Sequence, residues 1–208
     1  MMKKKPETVE EIEMANEKSR RRQEVRQRIL ATKVVEKGLL IVHTGNGKGK
    51  STAAFGMVLR SLGHGYKVGI IQFIKGGWHS GERTALEKFG DQVMIRCLGD
   101  GFTWETKNVE QDMQKAQEAW QVAKDMMKDP QFHLILLDEL NIALRYELLS
   151  LSEVLTTLQA RRPDLHMVIT GRHAKPELME AADLVTEMKI IKHPFRQQGV
   201  KAQAGIEF

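Results

Sequence analysis

The sequence predicts an α/β domain with a mostly parallel sheet that is covered by helices on both faces. Short, continuous apolar segments alternate with longer amphipathic stretches, which is typical of strands buried on both faces. Glycine-rich or polar loops follow these apolar segments. Because ligands in parallel sheets bind beyond the carboxyl ends of the strands, we expect the loops to gather along one edge. They comprise residues 45–51, 75–81, 99–106, 138–141 and 171–173.

The first half of the chain begins with a capping box, Thr8 and Glu11, which predicts a charged helix over residues 8–35. Its apolar stripe is thin, so the segment is either a solvated extension or an arm that closes over a ligand or a neighbouring subunit. From Leu39 onward strands and helices alternate. Strands are predicted at residues 39–44, 67–74 and 92–98, and helices at residues 51–62 and 82–89.

The second half continues the alternation. A long helix over residues 109–128 ends before Pro130, which cannot continue it. The nearly uniform apolar run at residues 132–138 predicts a buried strand. Further strands are predicted at residues 166–171 and 184–191, further helices at residues 147–161 and 175–182, and an irregular tail to Phe208. We therefore expect a charged arm over residues 1–37 and one α/β domain over residues 38–208.

Composition restricts the classes of function. The chain of 208 residues is 41% hydrophobic and carries a net charge of +5, of which residues 1–37 contribute +4. This basic segment contains no aromatic residue, so a nucleic-acid partner is not favoured. No apolar run reaches the ~18 residues of a membrane span, and no secretory signal is recognisable. With Cys97 as the single cysteine, no intrachain disulfide or cysteine-based zinc site is expected, and a cytoplasmic location is predicted.

The strongest motif is the glycine-rich loop between strand 39–44 and helix 51–62. Glycines allow backbone N–H groups to surround phosphate oxygens, a helix N-terminus favours anions, and a lysine adds a cation. The pattern G-x-x-x-x-G-K-[ST] requires glycine at position 44, whereas this chain has Thr44 and an additional Lys48. The predicted nucleotide-binding residues are Gly45, Asn46, Gly47, Lys48, Gly49, Lys50, Ser51 and Thr52.

Two acids, Asp138 and Glu139, follow the apolar strand 132–138. Beside a phosphate-binding loop, such carboxylates hold Mg²⁺ or its bound waters, and the Ser51 hydroxyl is a further ligand. The predicted metal residues are therefore Ser51, Asp138 and Glu139, with Glu139 preferred for the direct contact. Arg172, at the end of another strand, is a candidate for binding phosphate or another anionic group.

Phe102 and Trp104 lie in a glycine-flanked loop at the same predicted edge. Aromatic residues in loops often pack back onto the core. Two of them beside a ligand site can instead form a wall for a flat apolar ligand. The pattern alone leaves both interpretations open.

Several of these segments, in this order, resemble the bacterial P-loop type of ATP:cob(I)alamin (corrinoid) adenosyltransferases. The resemblance lies in residues 44–56, 68–75, 81–83, 101–106, 136–140, 170–172 and 199–206. The displaced glycine at position 45 is this family's own form of the loop. Two departures are Ser51 in place of the usual threonine, and Asn141 where threonine often follows the acidic pair.

The resemblance implies a RecA-like P-loop fold with a six-stranded sheet, a homodimer, and transfer of the 5′-deoxyadenosyl group from MgATP to the cobalt of a reduced corrinoid. Triphosphate would leave in one piece, and a reducing flavoprotein is an expected partner. Phe102 and Trp104 would press on the corrin ring and displace its lower axial ligand. Together with Lys50 they are the predicted catalytic residues.

Two other functions are compatible with some of these sequence features. A P-loop ATPase that hydrolyses ATP to ADP, as a motor or switch, would need only the loop and the acidic pair. A nucleotide-dependent binding module would use the basic segment of residues 1–37 as its contact surface. The products formed from ATP separate the first alternative from adenosyl transfer, and deletion of residues 1–37 tests the second.

Overall fold

The computed structural model describes residues 8–74, 81–97 and 109–207, and it forms two compact units, residues 1–36 and residues 37–208. The helices are α1 Val9–Ala31, α2 Lys50–Gly63, α3 Gly81–Leu86, α4 Val109–Lys128, α5 Leu140–Arg145, α6 Leu151–Gln159, α7 Pro176–Ala181 and α8 Pro194–Gln198. The strands are β1 Leu40–Thr44, β2 Lys67–Gln72, β3 Val93–Cys97, β4 Phe132–Asp138, β5 His166–Thr170 and β6 Leu184–Glu187.

The first unit contains the helix α1. The predicted capping box is present: Thr8 Oγ1 accepts the Glu11 backbone N–H at 3.2 Å, and the Glu11 side chain accepts the Thr8 N–H at 3.2 Å. None of the helix residues is buried, as the thin apolar stripe predicts. The helix ends at Ala31, earlier than predicted, because the Thr32 hydroxyl donates to the Ile29 carbonyl oxygen and competes with the helical backbone pattern.

The second unit is built on a six-stranded sheet in the order β3-β2-β4-β5-β1-β6. Every neighbouring pair of strands is parallel. The centre of the sheet is its most apolar part, since β4 runs through Leu134–Leu137 with all four side chains buried. Strand β5 alone lies between β4, which leads to the two acids, and β1, which precedes the glycine loop.

The core lies on both faces of this sheet. Along β4, Ile135 and Leu137 belong to a cluster with the helices α4, α6 and α7, whereas Leu134 and Leu136 pack with α2 on the opposite face. This alternation follows from the two-residue period of a strand. The predicted α/β fold with helices on both faces is confirmed.

The structure differs from the sequence prediction in its last third. The helix predicted over residues 147–161 is present but shorter: α6 covers Leu151–Gln159 and begins after Glu147, which has a φ of 56°. The short helix α5 before it was not predicted. Ser150 then starts α6 by accepting the Glu153 N–H at 3.4 Å. Strand β6 ends at Glu187 rather than at residue 191, and the tail predicted to be irregular contains the helix α8. No helix in the described ranges is both long and apolar enough to cross a membrane.

Candidate active site

The strand order brings the predicted site segments together at the carboxyl edge of the sheet. Because β5 lies between β4 and β1, the acidic pair, residues 170–172 and the loop at residues 45–49 follow three adjacent strands. Lys50 and Ser51 begin α2 directly after this loop. A ligand at this edge therefore meets all three segments at once.

The loop has the backbone conformations that its glycines permit. Gly45 has a φ of 94° and Gly49 a φ of 100°, values that residues with a side chain rarely adopt. Space is a second reason for glycine. A Cβ atom at Gly45 would lie 2.4 Å from the Met188 carbonyl oxygen, and one at Gly47 would lie 2.7 Å from the same residue's backbone. The segment after β6 thus packs tightly against the loop.

Hydrogen bonds fix this packing. The Gly47 N–H donates to the Met188 carbonyl oxygen at 2.6 Å, and the Met188 N–H donates to the Thr44 carbonyl oxygen at 2.8 Å. The Gly47 amide, predicted to face phosphate, is therefore engaged with the segment after β6. The Thr44 hydroxyl accepts the Ala174 N–H at 3.0 Å, which connects the end of β1 to the loop after β5. The loop is supported from two sides.

Lys50 lies at the centre of the charges at this edge. Its side chain is buried, with 7% of the residue exposed, and its Nζ donates to the Gly47 carbonyl oxygen at 2.6 Å. Burial lowers the pKa of Lys50, Glu139 and Asp138 oppose the shift, and Arg172 and Lys48 add to it. An anion that approaches the loop therefore meets a desolvated ammonium group with two further cations nearby.

The remaining loop residues are more accessible. Lys48 is exposed and forms an ion pair with Glu207 near the end of the chain. Asn46 and Thr52 are exposed, and Arg172 is exposed at the end of β5. These side chains are available to a ligand without opening the core.

Asp138 is fully buried and connects three strand ends. Its Oδ1 accepts the Ser51 hydroxyl at 2.8 Å and the Thr170 hydroxyl at 2.7 Å, and its Oδ2 accepts the Gln72 side-chain amide at 3.0 Å. Since a hydroxyl has one hydrogen, the lone pairs of Ser51 stay available to a cation. Hydrogen bonds to the charged form of a carboxyl group also offset the cost of burying it.

Glu139 follows Asp138 with a left-handed backbone, φ 62° and ψ 20°. Its N–H donates to the Thr170 hydroxyl at 2.9 Å. Gly171, at a φ of 126°, packs closely beside it: a Cβ there would lie 3.2 Å from Glu139 Oε2 and 2.8 Å from the Asn141 Cβ. The end of β5 thus shapes the backbone and the surroundings of this acid.

Asn141, noted in the sequence as a departure from the family pattern, is buried in α5. Its Nδ2 donates to the Gly171 carbonyl oxygen at 2.9 Å, while its Oδ1 has no partner among the residues that the structure describes. The side chain therefore fastens α5 to the turn that precedes Arg172.

Sequence reasoning missed Gln72 and Thr170. Each is a polar residue at the last position of an apolar strand, which is the same signal that singled out Asp138. Met188 had no such signal, because its contacts with Gly45 and Gly47 are made through its backbone. Phe102 and Trp104 lie outside the described residues.

The donor set fits Mg²⁺, which prefers hydroxyl and carboxylate oxygens. Ser51 offers oxygen lone pairs, and Asp138 and Glu139 supply negative charge within the same group of strand ends. Within residues 8–74, 81–97 and 109–207 no group of three or more His, Cys, Asp or Glu side chains has a spacing suited to a metal.

Comparison with known proteins identifies the family. Residues 36–208 match the sequence model described as "ATP:corrinoid adenosyltransferase BtuR/CobO/CobP". The chain belongs to this family. The resemblance seen in the sequence motifs is confirmed, and so is the predicted enzyme class. ATP and a corrinoid are the substrates that membership implies, and an ATP-hydrolysing motor or switch is not favoured.

Individual relatives agree over nearly their whole length. The corrinoid adenosyltransferase of Sinorhizobium sp. is 51% identical over 193 residues, which cover 92% of this chain and 90% of that protein. The corrinoid adenosyltransferase of Pseudomonas aeruginosa is 48% identical over 197 residues, 93% and 97% of the two chains. Corrinoid adenosyltransferase CobA of Salmonella typhimurium is 44% identical over 191 residues, 90% and 96% of the two chains.

A similar solved structure is that of the Aeropyrum pernix ORC2 protein in its ADPNP-ADP complexes. It is 12% identical with a TM-score of 0.40, and the match covers 80% of this chain and 45% of that one. The chain thus spans less than half the length of that protein. A likeness at this level adds nothing to the functional assignment.

Proposed function

We propose that the chain transfers the 5′-deoxyadenosyl group of MgATP to the cobalt of a reduced corrinoid and that the loop at residues 45–51 holds the departing triphosphate. The observation that carries this proposal is the connected polar group at the carboxyl edge. Lys50 is buried against the loop, and the Ser51 hydroxyl donates to Asp138 at 2.8 Å. This group supports the proposal because it supplies positive charge for a polyphosphate chain and oxygen atoms for its metal ion.

The proposed reaction needs little proton chemistry. The Co(I) electron pair forms a bond to C5′ of ATP, the C5′–O bond breaks, and the electrons of that bond leave with triphosphate. Because Co(I) is a strong nucleophile, no general base is required. The task of the protein is to orient ATP and to stabilise charge on the leaving group, which Lys50, Lys48 and the backbone amides at the start of α2 are suited to do.

Ser51 and Glu139 are the proposed Mg²⁺ ligands, and Asp138 would orient Ser51 through the hydrogen bond described above. When bound, Mg²⁺ would neutralise part of the triphosphate charge. Arg172 adds a further cation near Lys50, as its effect on the Lys50 pKa indicates. With these assignments, the charged residues named at the carboxyl edge would all act on one polyphosphate ligand or on its Mg²⁺.

The family resemblance supports further proposals. We propose a homodimer, a reducing flavoprotein as the source of Co(I), and a cytoplasmic location. For the arm of residues 1–37, we propose that it closes over the site when substrates bind.

Product analysis by phosphorus NMR tests the reaction. With ATP, Mg²⁺ and chemically reduced cobalamin, we expect one equivalent of inorganic triphosphate for each adenosylcobalamin formed. Without corrinoid we expect ATP to remain intact. Release of ADP and phosphate in the absence of corrinoid would contradict adenosyl transfer and support the ATPase alternative.

The aromatic residues have a separate test. Phe102→Ala and Trp104→Ala should bind MgATP with unchanged affinity, because their proposed contact is with the corrin ring. Both should form less of the four-coordinate corrinoid, as measured by its absorption and magnetic circular dichroism spectra, and should turn over more slowly. Phe195→Ala, at an exposed aromatic residue of α8, is the control. Unchanged spectra and turnover in both variants would remove the aromatic pair from the site.

A further inference from the structure

Thr170 contacts both acids of the site. It is fully buried at the last position of β5. Its hydroxyl donates to Asp138 Oδ1 at 2.7 Å and accepts the Glu139 backbone N–H at 2.9 Å. An amide N–H can only donate, and a hydroxyl has one hydrogen, so the direction of both bonds is fixed. One side chain therefore connects the Asp138 carboxylate to the backbone of the next residue.

The backbone of Glu139 depends on such support. Its left-handed conformation, φ 62° and ψ 20°, is uncommon for a residue with a side chain. The hydrogen bond to Thr170 satisfies its N–H in that conformation. The absence of a side chain at Gly171 leaves room for the Glu139 carboxylate, whose Oε2 would otherwise meet a Cβ at 3.2 Å. Thr170 and Gly171 together determine where this carboxylate can lie.

We infer that Thr170 is a positioning residue for metal binding that acts through Glu139. Its hydroxyl holds Glu139 in the left-handed conformation, and this conformation places the carboxylate for Mg²⁺. The inference rests on the proposed role of Glu139 as a metal ligand. Since Thr170 also contacts Asp138, the experiment has to separate the two acids.

The measured quantity is the metal coupling, defined as the dissociation constant of ATP in EDTA divided by that in excess Mg²⁺. Thr170→Val removes the hydroxyl and keeps the shape, and we expect it to lower the coupling about tenfold, the effect typical of losing a residue that orients a metal ligand. Thr170→Ser restores the hydroxyl and should return the coupling to within about twofold of wild type. If the valine variant does not fold, Thr170→Ala serves the same purpose.

Thr44→Val is the matched control. Thr44 is also a buried threonine at the end of a strand, and its hydroxyl accepts the Ala174 N–H at 3.0 Å, but no described contact joins it to either acid. The variant should lose stability while keeping the wild-type coupling. An equal loss of coupling in the Thr44 and Thr170 variants would show a general packing effect and overturn the inference.

A double-mutant cycle with Glu139→Gln identifies the acid through which Thr170 acts. If it acts through Glu139, Thr170→Val should cause no further loss of coupling in the Glu139→Gln background. A further loss would show that Thr170 acts through Asp138 and would overturn the inference. A normal coupling in Glu139→Gln alone would instead remove Glu139 from the proposed metal site. Reduced coupling in Glu139→Gln together with normal coupling in Thr170→Val would refute the inference about Thr170 but not the proposed metal-binding role of Glu139.

Discussion

The two ends of the parallel sheet are both polar but are constructed differently. At the amino edge, charges meet complementary groups within the protein. Asp183 accepts the Leu40 N–H at 2.8 Å and pairs with Lys37 and with Arg161, which in turn donates to three backbone carbonyl groups. These hydrogen bonds hold the start of β1 against its neighbours.

At the carboxyl edge, the backbone takes uncommon conformations and cations are brought together. Gly45, Gly49, Glu139, Gly171 and His173 all have positive φ values. Lys50 is held near other cations although burial lowers its pKa. Such arrangements cost stability and persist at sites that bind ligands. We conclude that the amino edge stabilises the fold, whereas the carboxyl edge is arranged for an anionic ligand.

The largest expected effect comes from Lys50→Ala. The variant loses a charge-assisted contact with phosphate, which should weaken MgATP binding by ~1.5–3 kcal/mol, or about 10- to 150-fold. Isothermal titration calorimetry measures the loss. Lys67→Ala, at the amino edge, removes the same charge and should leave the affinity unchanged. Unaltered MgATP affinity in the Lys50 variant would contradict the assignment of the loop.

Asp183→Ala tests the amino edge and should have the opposite pattern. The change leaves the buried N–H of Leu40 without its acceptor, so the free energy of unfolding should fall by about 1–3 kcal/mol while MgATP affinity stays the same. Urea titration measures the loss. Asp164→Ala removes a solvent-exposed partner of Arg162 and should cost less than about 0.5 kcal/mol. Weakened ATP binding in the Asp183 variant would mean that the two edges are coupled.

The smallest effect concerns pH. Burial lowers the pKa of His133 and the pKa of His166. The nearby His133 lowers the pKa of His166 further, and Asp164 opposes both shifts. The folded state therefore binds fewer protons than the unfolded one. The stabilisation is complete above the unfolded pKa of roughly 6.5 and is lost as the pH falls toward the folded values.

His133→Phe keeps an aromatic ring against Tyr66, with which His133 stacks at 3.8 Å between centroids, and removes the titration. The free energy of unfolding should decrease less between about pH 7.5 and about pH 5.5 in this variant than in wild type. Urea midpoints at these two values supply the measurement. Parallel decreases in both proteins would exclude His133 as a source of the pH dependence.

Much of the fold was predictable because single segments carry their own signals. The apolar run Leu134–Leu137, set between helical patterns, predicts a strand buried on both faces, and the glycine loop followed by Lys50 predicts the start of α2. The short helix α5 was not predicted in this way. It spans only Leu140–Arg145, between the acidic pair and the left-handed residue Glu147, which is too short for a helical apolar pattern to repeat.

The residues of the site also differ in whether a local sequence pattern predicts them. Asp138 and Lys50 were identifiable from local patterns, and Gln72 and Thr170 could have been found by applying the same strand-end rule. The contact of Met188 with Gly45 and Gly47 could not, because it joins segments more than 140 residues apart through backbone atoms alone. Backbone contacts of this kind leave no preference for a particular side chain in the sequence.

Thr44 has a consequence for recognising and redesigning such loops. A search for the pattern with glycine at this position would miss the chain, and a redesign toward the pattern would replace Thr44 with glycine. The Thr44 hydroxyl accepts the Ala174 N–H at 3.0 Å. Thr44→Gly would therefore remove this hydrogen bond between the end of β1 and the loop after β5. At this position the deviation from the consensus supplies a hydrogen bond that glycine cannot make.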